Sequence, residues 1–569
     1  MLKLIKKKLF LIKAIFWLIA IILGLLQAWS NRYSLSTGDA ISYLDIGEAY
    51  FQGDWQQAVN GYFSPLYSLL LGLSVSVLNP SSYWQFFVVK LVNFTIYLLS
   101  LVAFELLLSE FINYYNIKLS NNTQKQTLII PDWIWYVSGY ILFLWSALKW
   151  IGIDNDTPDM CVATLVYLAA WLVLRVYTRS DHWLNFIGLG VVLGLGYLSK
   201  AIMFPMAFIF LGTCFFSVGN IRRSLPRISV AFLVFALIST PFIAAISQAN
   251  GYLTFGTAGK FNYAWNISPG GISNHHWQGK PPGSGIPKHP IRTIFDNPIV
   301  YEFATPIGGT YPPWHNPSYW NAGLKPQFNL QKQIGEIWSH AFEYYRIFFG
   351  VLMFSYLTFV SVSGKFETSI KALIGNWRFL IPACAGLGSL LLVHVRPRLI
   401  AAFVVLLFAG FFASIRLPNS PESKRLIVGM TVGLLFFAGS QFTTISQNAG
   451  EPIHWKIAND LNQIGLNPEE KVAILGRYGV GHAYYWARLA QVKIIAEIPS
   501  LQQFWQSDDS TRSQVYKTLE EAGARVLVEE PGVNSPLDYR SLQGWQKLKN
   551  SDCYIYFLSS EDSDRRDWE

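Results

Sequence analysis

The chain alternates long apolar runs with short charged ones. Apolar stretches near 14–29, 83–109, 133–152, 159–177, 183–199, 201–219, 228–247, 343–362, 377–394, 398–415 and 426–446 follow one another. Each approaches the roughly 17–25 residues that a helix needs to cross a hydrocarbon core. About eleven transmembrane helices are therefore expected. One further run, 66–78, is about 13 residues long. That is short of a crossing, so it is expected to lie at the interface or to re-enter. This choice sets the sidedness of everything after it. With 66–78 kept out of the count, the short loops sharing a side with Lys3, Lys6, Lys7, Lys8 and Lys13 hold Lys118 and Lys125, then Arg175 and Arg179, then Arg222, Arg223 and Arg227, then Lys365 and Lys371, then Arg416, Lys424 and Arg425. Cytoplasmic loops are the ones enriched in Lys and Arg. The expected topology thus has the N-terminus inside, and residues 30–65, the large loop 248–342 and the C-terminus outside. The first apolar run is long and no small-residue cleavage site follows it, so it is expected to remain as a span.

Two polar regions break the pattern. Residues 248–342 carry many Gly, Pro, Trp and Asn, with no sustained helical or strand period. Long loops of this kind are lids or disordered segments, and the aromatic content favours an ordered cap. Beyond 447 the apolar runs cease. KVAILG, VKIIAEI, ARVLVEE and CYIYFL read as strands, and STRSQVYKTLEEAG between them has helical spacing with a Gly stop. The expected fold class is an α-helical polytopic membrane protein, with a membrane domain over 1–447 and a small extracytoplasmic α/β domain over 448–569. Gly476, Gly479 and Gly481 follow the first of these strands, but GRYGVG lacks the G-x-G-x-x-G spacing of a nucleotide fingerprint, so no nucleotide cofactor is expected.

Composition sharpens this picture. Of 569 residues, 52% are hydrophobic and only 14% charged, against roughly a quarter charged in soluble chains. The net charge of +9 could suggest nucleic acid, but the cations sit between apolar runs, where topology accounts for them. The four cysteines form neither a disulfide framework nor a zinc pattern.

Candidate chemistry gathers at the outer ends of the spans. Residues 38–65 hold Asp39, Asp45, Glu48 and Asp54 among aromatic side chains that include Tyr43. Asp39 precedes a short helical pattern, so it can cap that helix, act as a general base at the membrane surface, or do both. Asp45 and Glu48 share a helical face; a solvated face is the reading for Asp45, while Glu48 stays open between that, a metal ligand and an acid/base partner. A second acidic segment, IGIDNDTPDM, supplies Asp154, Asp156 and Asp159 on the same expected side. Thr157, Pro158 and Asp159 make a good helix start, and two carboxylate clusters facing one compartment suit acid/base work or one divalent cation. Lys90 and Lys149 read as snorkelling lysines. Lys200, between two apolar runs with almost no loop, could hold an anion. Arg396 and Arg398 break the positive-inside pattern, which a phosphate ligand would explain. The histidines 275, 276, 289 and 315 have no metal-ligand spacing.

Three pieces in order, GDAISYLDIGEAYFQGDW with SPLYSLLLGL, then TPDMCVATLVYLAAWLVLR, then LGLGYLSKAIMFP, cover the first 220 or so residues. This pattern resembles the GT-C class of membrane glycosyltransferases, which take a sugar from a polyprenyl phosphate; the protein O-mannosyltransferases and the lipid A aminoarabinose transferase are the nearest in pattern. The resemblance implies a catalytic acid at Asp39, a second external acid at Asp159 and a phosphate-side lysine at Lys200. The chain departs from the family in having Asp39-Ala40 in place of an Asp-Glu pair, and Ser64-Pro65 in place of a Lys-Pro-Pro run. On this reading Asp39, Asp159 and Glu48 are the catalytic candidates, and Lys200, Arg396, Arg398, Tyr43 and Asp156 the substrate-binding ones. The donor is a polyprenyl-phosphate-linked sugar, and the acceptor a lipid, glycan or protein in a bacterial cell envelope. Two other functions fit the same layout: a transporter or lipid flippase, and an O-antigen-ligase-like transferase that relies on its basic residues.

Overall fold

The computed structural model describes residues 2–120, 128–179, 182–363, 366–442, 452–476, 483–529 and 544–559. Lys125, Lys365, Gly479 and Gly481, named above, lie outside them. The chain divides into two interleaved compact units. One comprises Met1–Ser30, Lys90–Pro269 and Gln327–Asn448; the other comprises Asn31–Val89, Gly270–Pro326 and Ala449–Glu569. Two earlier segments, Asn31–Val89 and Gly270–Pro326, group with the C-terminal region.

The first unit is helical. Among the described residues five helices are long and apolar enough to cross a membrane, and a bent pair, Leu330–Phe349 with Leu352–Ser361 meeting at 58°, would make a sixth. Shorter apolar helices run over Trp183–Ser199, Met203–Ser217, Trp377–Leu391 and Pro397–Phe412. Among the described residues the apolar runs expected to span lie mainly on helices; the last, 426–446, is seen as Pro421–Phe442, and its final four residues lie outside the described ones. Asp132–Leu144 widens into a π-helical turn, Trp145–Ile151, ended by Gly152 at φ 79°. That left-handed residue, natural only for glycine, turns the chain into the acidic segment 153–158. Inside the unit, buried Phe143, Tyr167, Phe186, Phe210 and Phe403 form the packing.

The second unit centres on a seven-stranded sheet: β1 (Arg292–Asp296), β2 (Ile299–Glu302), β3 (Lys471–Leu475), β4 (Lys493–Ile498), β5 (Val526–Glu529), β6 (Trp545–Lys547) and β7 (Tyr554–Phe557), in the order β1-β2-β4-β3-β5-β7-β6. β3 is parallel to both β4 and β5, while the outer pairs are antiparallel. Parallel neighbours need a crossover, and the Ala483–Ala490 helix supplies the one between β3 and β4. The four strands read from sequence are β3, β4, β5 and β7. The β1–β2 hairpin comes from the long 248–342 loop, which showed no strand period; its strands are short and a register shift between Thr293 and Phe295 breaks the alternation.

Two helices of this unit, Asp39–Gln52 and Pro65–Leu78, pack backbone to backbone. A Cβ on Gly47 would collide with the Ser68 carbonyl, and one on Gly72 with the Gly47 carbonyl. Residues 66–78, expected at the interface or re-entrant, form a single helix of 14 residues starting at Pro65.

Candidate active site

In the first unit the site forms where three chain segments end. Asp159 begins the Asp159–Thr178 helix, where a carboxylate meets the positive dipole end. The Thr157 hydroxyl donates to its Oδ2 at 2.9 Å. Lys200, extended past the end of Trp183–Ser199, places Nζ 2.5 Å from Asp159 Oδ1. Arg398, in the first turn of Pro397–Phe412, has Nε 3.5 Å from Oδ2. Asp159 is buried, 2% exposed at the side chain, while Lys200 and Arg398 keep 30% and 24%. The Arg398 Nη1 is buried and has no hydrogen-bond partner among the described residues. A buried donor left unmade costs about 1–3 kcal/mol, so this fork is set to receive an acceptor.

Arg396 caps the same helix and donates from Nε to His394 Nε2 at 3.1 Å. The Arg396 guanidinium is the donor in this pair, and the His394 ring nitrogen accepts. The cluster thus sets three cationic side chains against one carboxylate, an excess of positive charge whose donors suit an anion such as a phosphate.

Asp156, three residues earlier, takes different partners. Lys90 Nζ lies 2.7 Å from both carboxylate oxygens and 2.9 Å from the Asp154 carbonyl, and Asn93 Nδ2 donates to Oδ1 at 3.0 Å. Neither side chain reaches solvent, at 1% and 0% exposure. Lys90 therefore does not snorkel: a charge this far inside an apolar run is held by a counter-charge. Lys149 is exposed.

In the second unit Asp39 is the first residue of Asp39–Gln52, and Gly38, not Asp39, is the N-cap. Asp39 is half-buried, and its Oδ1 accepts from Trp314 Nε1 at 2.9 Å. The Ser42 hydroxyl donates to the Trp314 carbonyl at 3.0 Å, fixing the indole from both ends. The His275 ring lies tilted against the same indole, with centroids 4.5 Å apart. Tyr43 is buried with edge contacts to Phe63 and Tyr67 at 4.9 and 5.1 Å.

Asp45, read as solvated, is buried. It accepts from Thr310 N at 2.7 Å and Thr310 Oγ1 at 3.0 Å, and pairs with Arg488 Nη1 at 2.9 Å. The same Nη1 reaches Glu48 Oε2 at 2.5 Å, and Nε donates to Gln85 at 3.2 Å. Burial works against the Arg488 charge, yet Asp45 and Glu48 hold its pKa above the usual arginine value. Sequence reasoning missed Arg488 and Trp314. The signal for Arg488 was a lone cation in the apolar helix AYYWARLA; nothing local marks Trp314. The four loop histidines go to separate neighbours: His276 to Glu497, His289 to Tyr319, His315 to the Gln57 carbonyl and His275 to Trp314. Among the described residues no three His, Cys, Asp or Glu side chains converge as a metal set.

Residues 131–243 match the family model of dolichyl-phosphate-mannose-protein mannosyltransferases. That segment contains Asp156, Asp159 and Lys200. Over 96% of its length the chain follows the crystal structure of ArnT from Cupriavidus metallidurans in the apo state, covering 98% of that chain with 11% identity and a TM-score of 0.52. For the same protein bound to undecaprenyl phosphate the coverage is 96% and 98%, the identity 12% and the TM-score 0.51. The archaeal oligosaccharyltransferase AglB from Archaeoglobus fulgidus, in complex with an inhibitory peptide and a dolichol-phosphate, matches over 91% of this chain and 69% of its own at 12% identity, with a TM-score of 0.47. No curated protein matches the sequence. The resemblance drawn from the first 220 or so residues is thus met by a family-model match that overlaps that region and by a shared fold with ArnT.

Proposed function

We propose that this protein is an integral-membrane glycosyltransferase that moves a sugar from a polyprenyl-phosphate donor to an acceptor outside the membrane. The observation that carries the reading is the Lys200–Asp159–Arg398 cluster, with a buried Arg398 donor still unsatisfied. The ArnT structure of like fold holds undecaprenyl phosphate, which is the class of molecule such a cluster would grip. In this reading the apolar runs make eleven crossings, and residues 448–569 fold outside.

The division of labour follows from the partners. Lys200 and Arg398 hold the donor phosphate, with Arg396 approaching from the exposed rim, and these cations stabilise the charge that the phosphate gains as the glycosidic bond breaks. Asp159, tied to two cations, is a poor proton acceptor and serves to aim them. Among the described residues Asp39 takes one neutral hydrogen bond, from Trp314, and no ion pair, so in this reading it is the general base that takes the acceptor's proton as the acceptor attacks the anomeric carbon. Glu48, with its charge matched by Arg488, positions the helix that bears Asp39. Tyr43 and Asp156 are buried and hold their surroundings in place.

The test is sugar transfer or slow donor hydrolysis by the purified protein with radiolabelled polyprenyl-phosphate sugars. Asp39→Asn is expected to abolish transfer and leave membrane insertion intact. Wild-type rates in that variant would remove Asp39 from the mechanism, and failure of the wild-type protein with every donor tried would favour transport.

A further inference from the structure

A second group of cations sits in the same helical unit, far from Asp159. Lys118 ends the long helix Ser82–Ser120, and its Nζ donates to Asn376 Oδ1 at 2.7 Å and to the Tyr114 hydroxyl at 3.3 Å. Arg378, in the first turn of Trp377–Leu391, stacks on Tyr177 at 3.9 Å and donates from Nε to Ser217 at 3.1 Å. Arg416 follows Pro397–Phe412, is 5% exposed, and donates to the carbonyls of Ala413 and Ile415 at 2.9 and 3.0 Å. Both arginines lie within electrostatic range of Lys118. Among the described residues none of the three pairs with a carboxylate; each is satisfied by neutral groups.

Positive-inside topology accounts for cations in loops, not for cations drawn together and half-buried. Lys371 shows the ordinary case: it is 73% exposed and paired with Glu367. Gathering three like charges away from water costs free energy unless an anion joins them. Next to the cluster lies an apolar cavity of about 200 Å³. Its lining includes Phe111, Phe379, Ile415 and Leu417, so it begins beside Arg378 and on either side of Arg416. Charged groups at the rim of an apolar cavity fit an amphiphile with an anionic head.

The distance to the first cluster comes from the helices. Asp159 and Tyr177, on which Arg378 stacks, are 18 residues apart on one helix. At 1.5 Å per residue that is about 27 Å, close to the ~30 Å of a hydrocarbon core. The geometry points to a second phosphate site, formed by Lys118, Arg378 and Arg416 at the opposite end of the bundle from Asp159, that takes the anionic headgroup of a membrane lipid and its chain in the adjoining cavity. This site stands independently of the transferase reading.

The experiment measures thermal stability of the delipidated, full-length protein in neutral detergent with added phosphatidylglycerol, phosphatidylcholine or inorganic phosphate. Native mass spectrometry counts the lipids retained. Phosphatidylglycerol is expected to raise the midpoint by several degrees, with no comparable rise from phosphatidylcholine or phosphate. Lys118→Gln with Arg378→Gln should weaken the half-maximal lipid concentration roughly tenfold or more, as loss of charge-assisted hydrogen bonds does. Lys118→Arg and Lys371→Gln should keep the response. An unchanged response in the double variant, or an equal rise with phosphatidylcholine or inorganic phosphate, would overturn the proposal. Should the double variant misfold, each single variant read by retained lipid count decides the matter.

Discussion

Lys90 offers the most demanding test of how the acidic segment is held. Replacing it by Met keeps much of the side-chain volume and removes the ammonium that touches both Asp156 oxygens at 2.7 Å and the Asp154 carbonyl at 2.9 Å. With both side chains at or below 1% exposure, water cannot take over. Removing one partner of a buried pair costs about 3–5 kcal/mol, whereas replacing both by apolar groups is often neutral or better. Lys90→Met should therefore lower the folding equilibrium by roughly two to four orders of magnitude. Lys90→Met with Asp156→Leu should recover most of that, giving a coupling energy above about 2 kcal/mol in the double-mutant cycle. Denaturant unfolding in micelles, followed by circular dichroism, reads both numbers. The reasoning is refuted if Lys90→Met stays within about 0.5 kcal/mol of wild type, the range of an ordinary surface change. In the folded double variant an unchanged donor KM is expected; a tenfold rise at equal stability would return Asp156 to direct substrate contact.

Three further outcomes follow from the same geometry. Lys200→Gln should raise donor KM by about tenfold or more, the worth of one charge-assisted hydrogen bond, while Asp159→Asn should lower kcat by less than tenfold; a loss above a thousandfold in Asp159→Asn would make that acid a proton acceptor. Arg488→Gln leaves Asp45 and Glu48 facing each other without a cation, and should cost about 3 kcal/mol of stability; an unchanged thermal midpoint contradicts this. His275 has its pKa held down to about 3, by burial first and by the His276 charge second. Since the folded value lies below the unfolded one, its stabilising contribution is complete above about pH 6.5 and is lost as pH falls toward 3, at about 1.4 kcal/mol per pH unit. His275→Phe should flatten the acid limb between pH 6.5 and 5, and an identical limb in the variant would remove His275 as its source.

The helices were legible because each apolar run is itself the signal: the residues that face lipid or neighbouring helices are contiguous in the chain. β3, β4, β5 and β7 were legible for the same reason, as short runs with buried faces. The hairpin β1–β2 was not, since it owes its existence to pairing with β4 more than to its own residues. Asp159, Lys200 and Arg398 were picked out one by one as charges where charges are costly, and the fold brings all three together. Partners that are remote in sequence stayed hidden. Arg488 lies 443 residues from Asp45, and Trp314 lies 275 from Asp39. No local pattern records such pairings, so Asp45 read as a solvated acid and Lys90 as a snorkelling lysine.

Gly47 and Gly72 touch with no side chain between them. The helix carrying Asp39 is consequently seated by bare main chain, which tolerates no adjustment by repacking. Anyone shuffling this region to alter acceptor preference would do well to leave both positions fixed. Conversely, an alanine at either one would act as a wedge that tilts the acid without altering a single group around it.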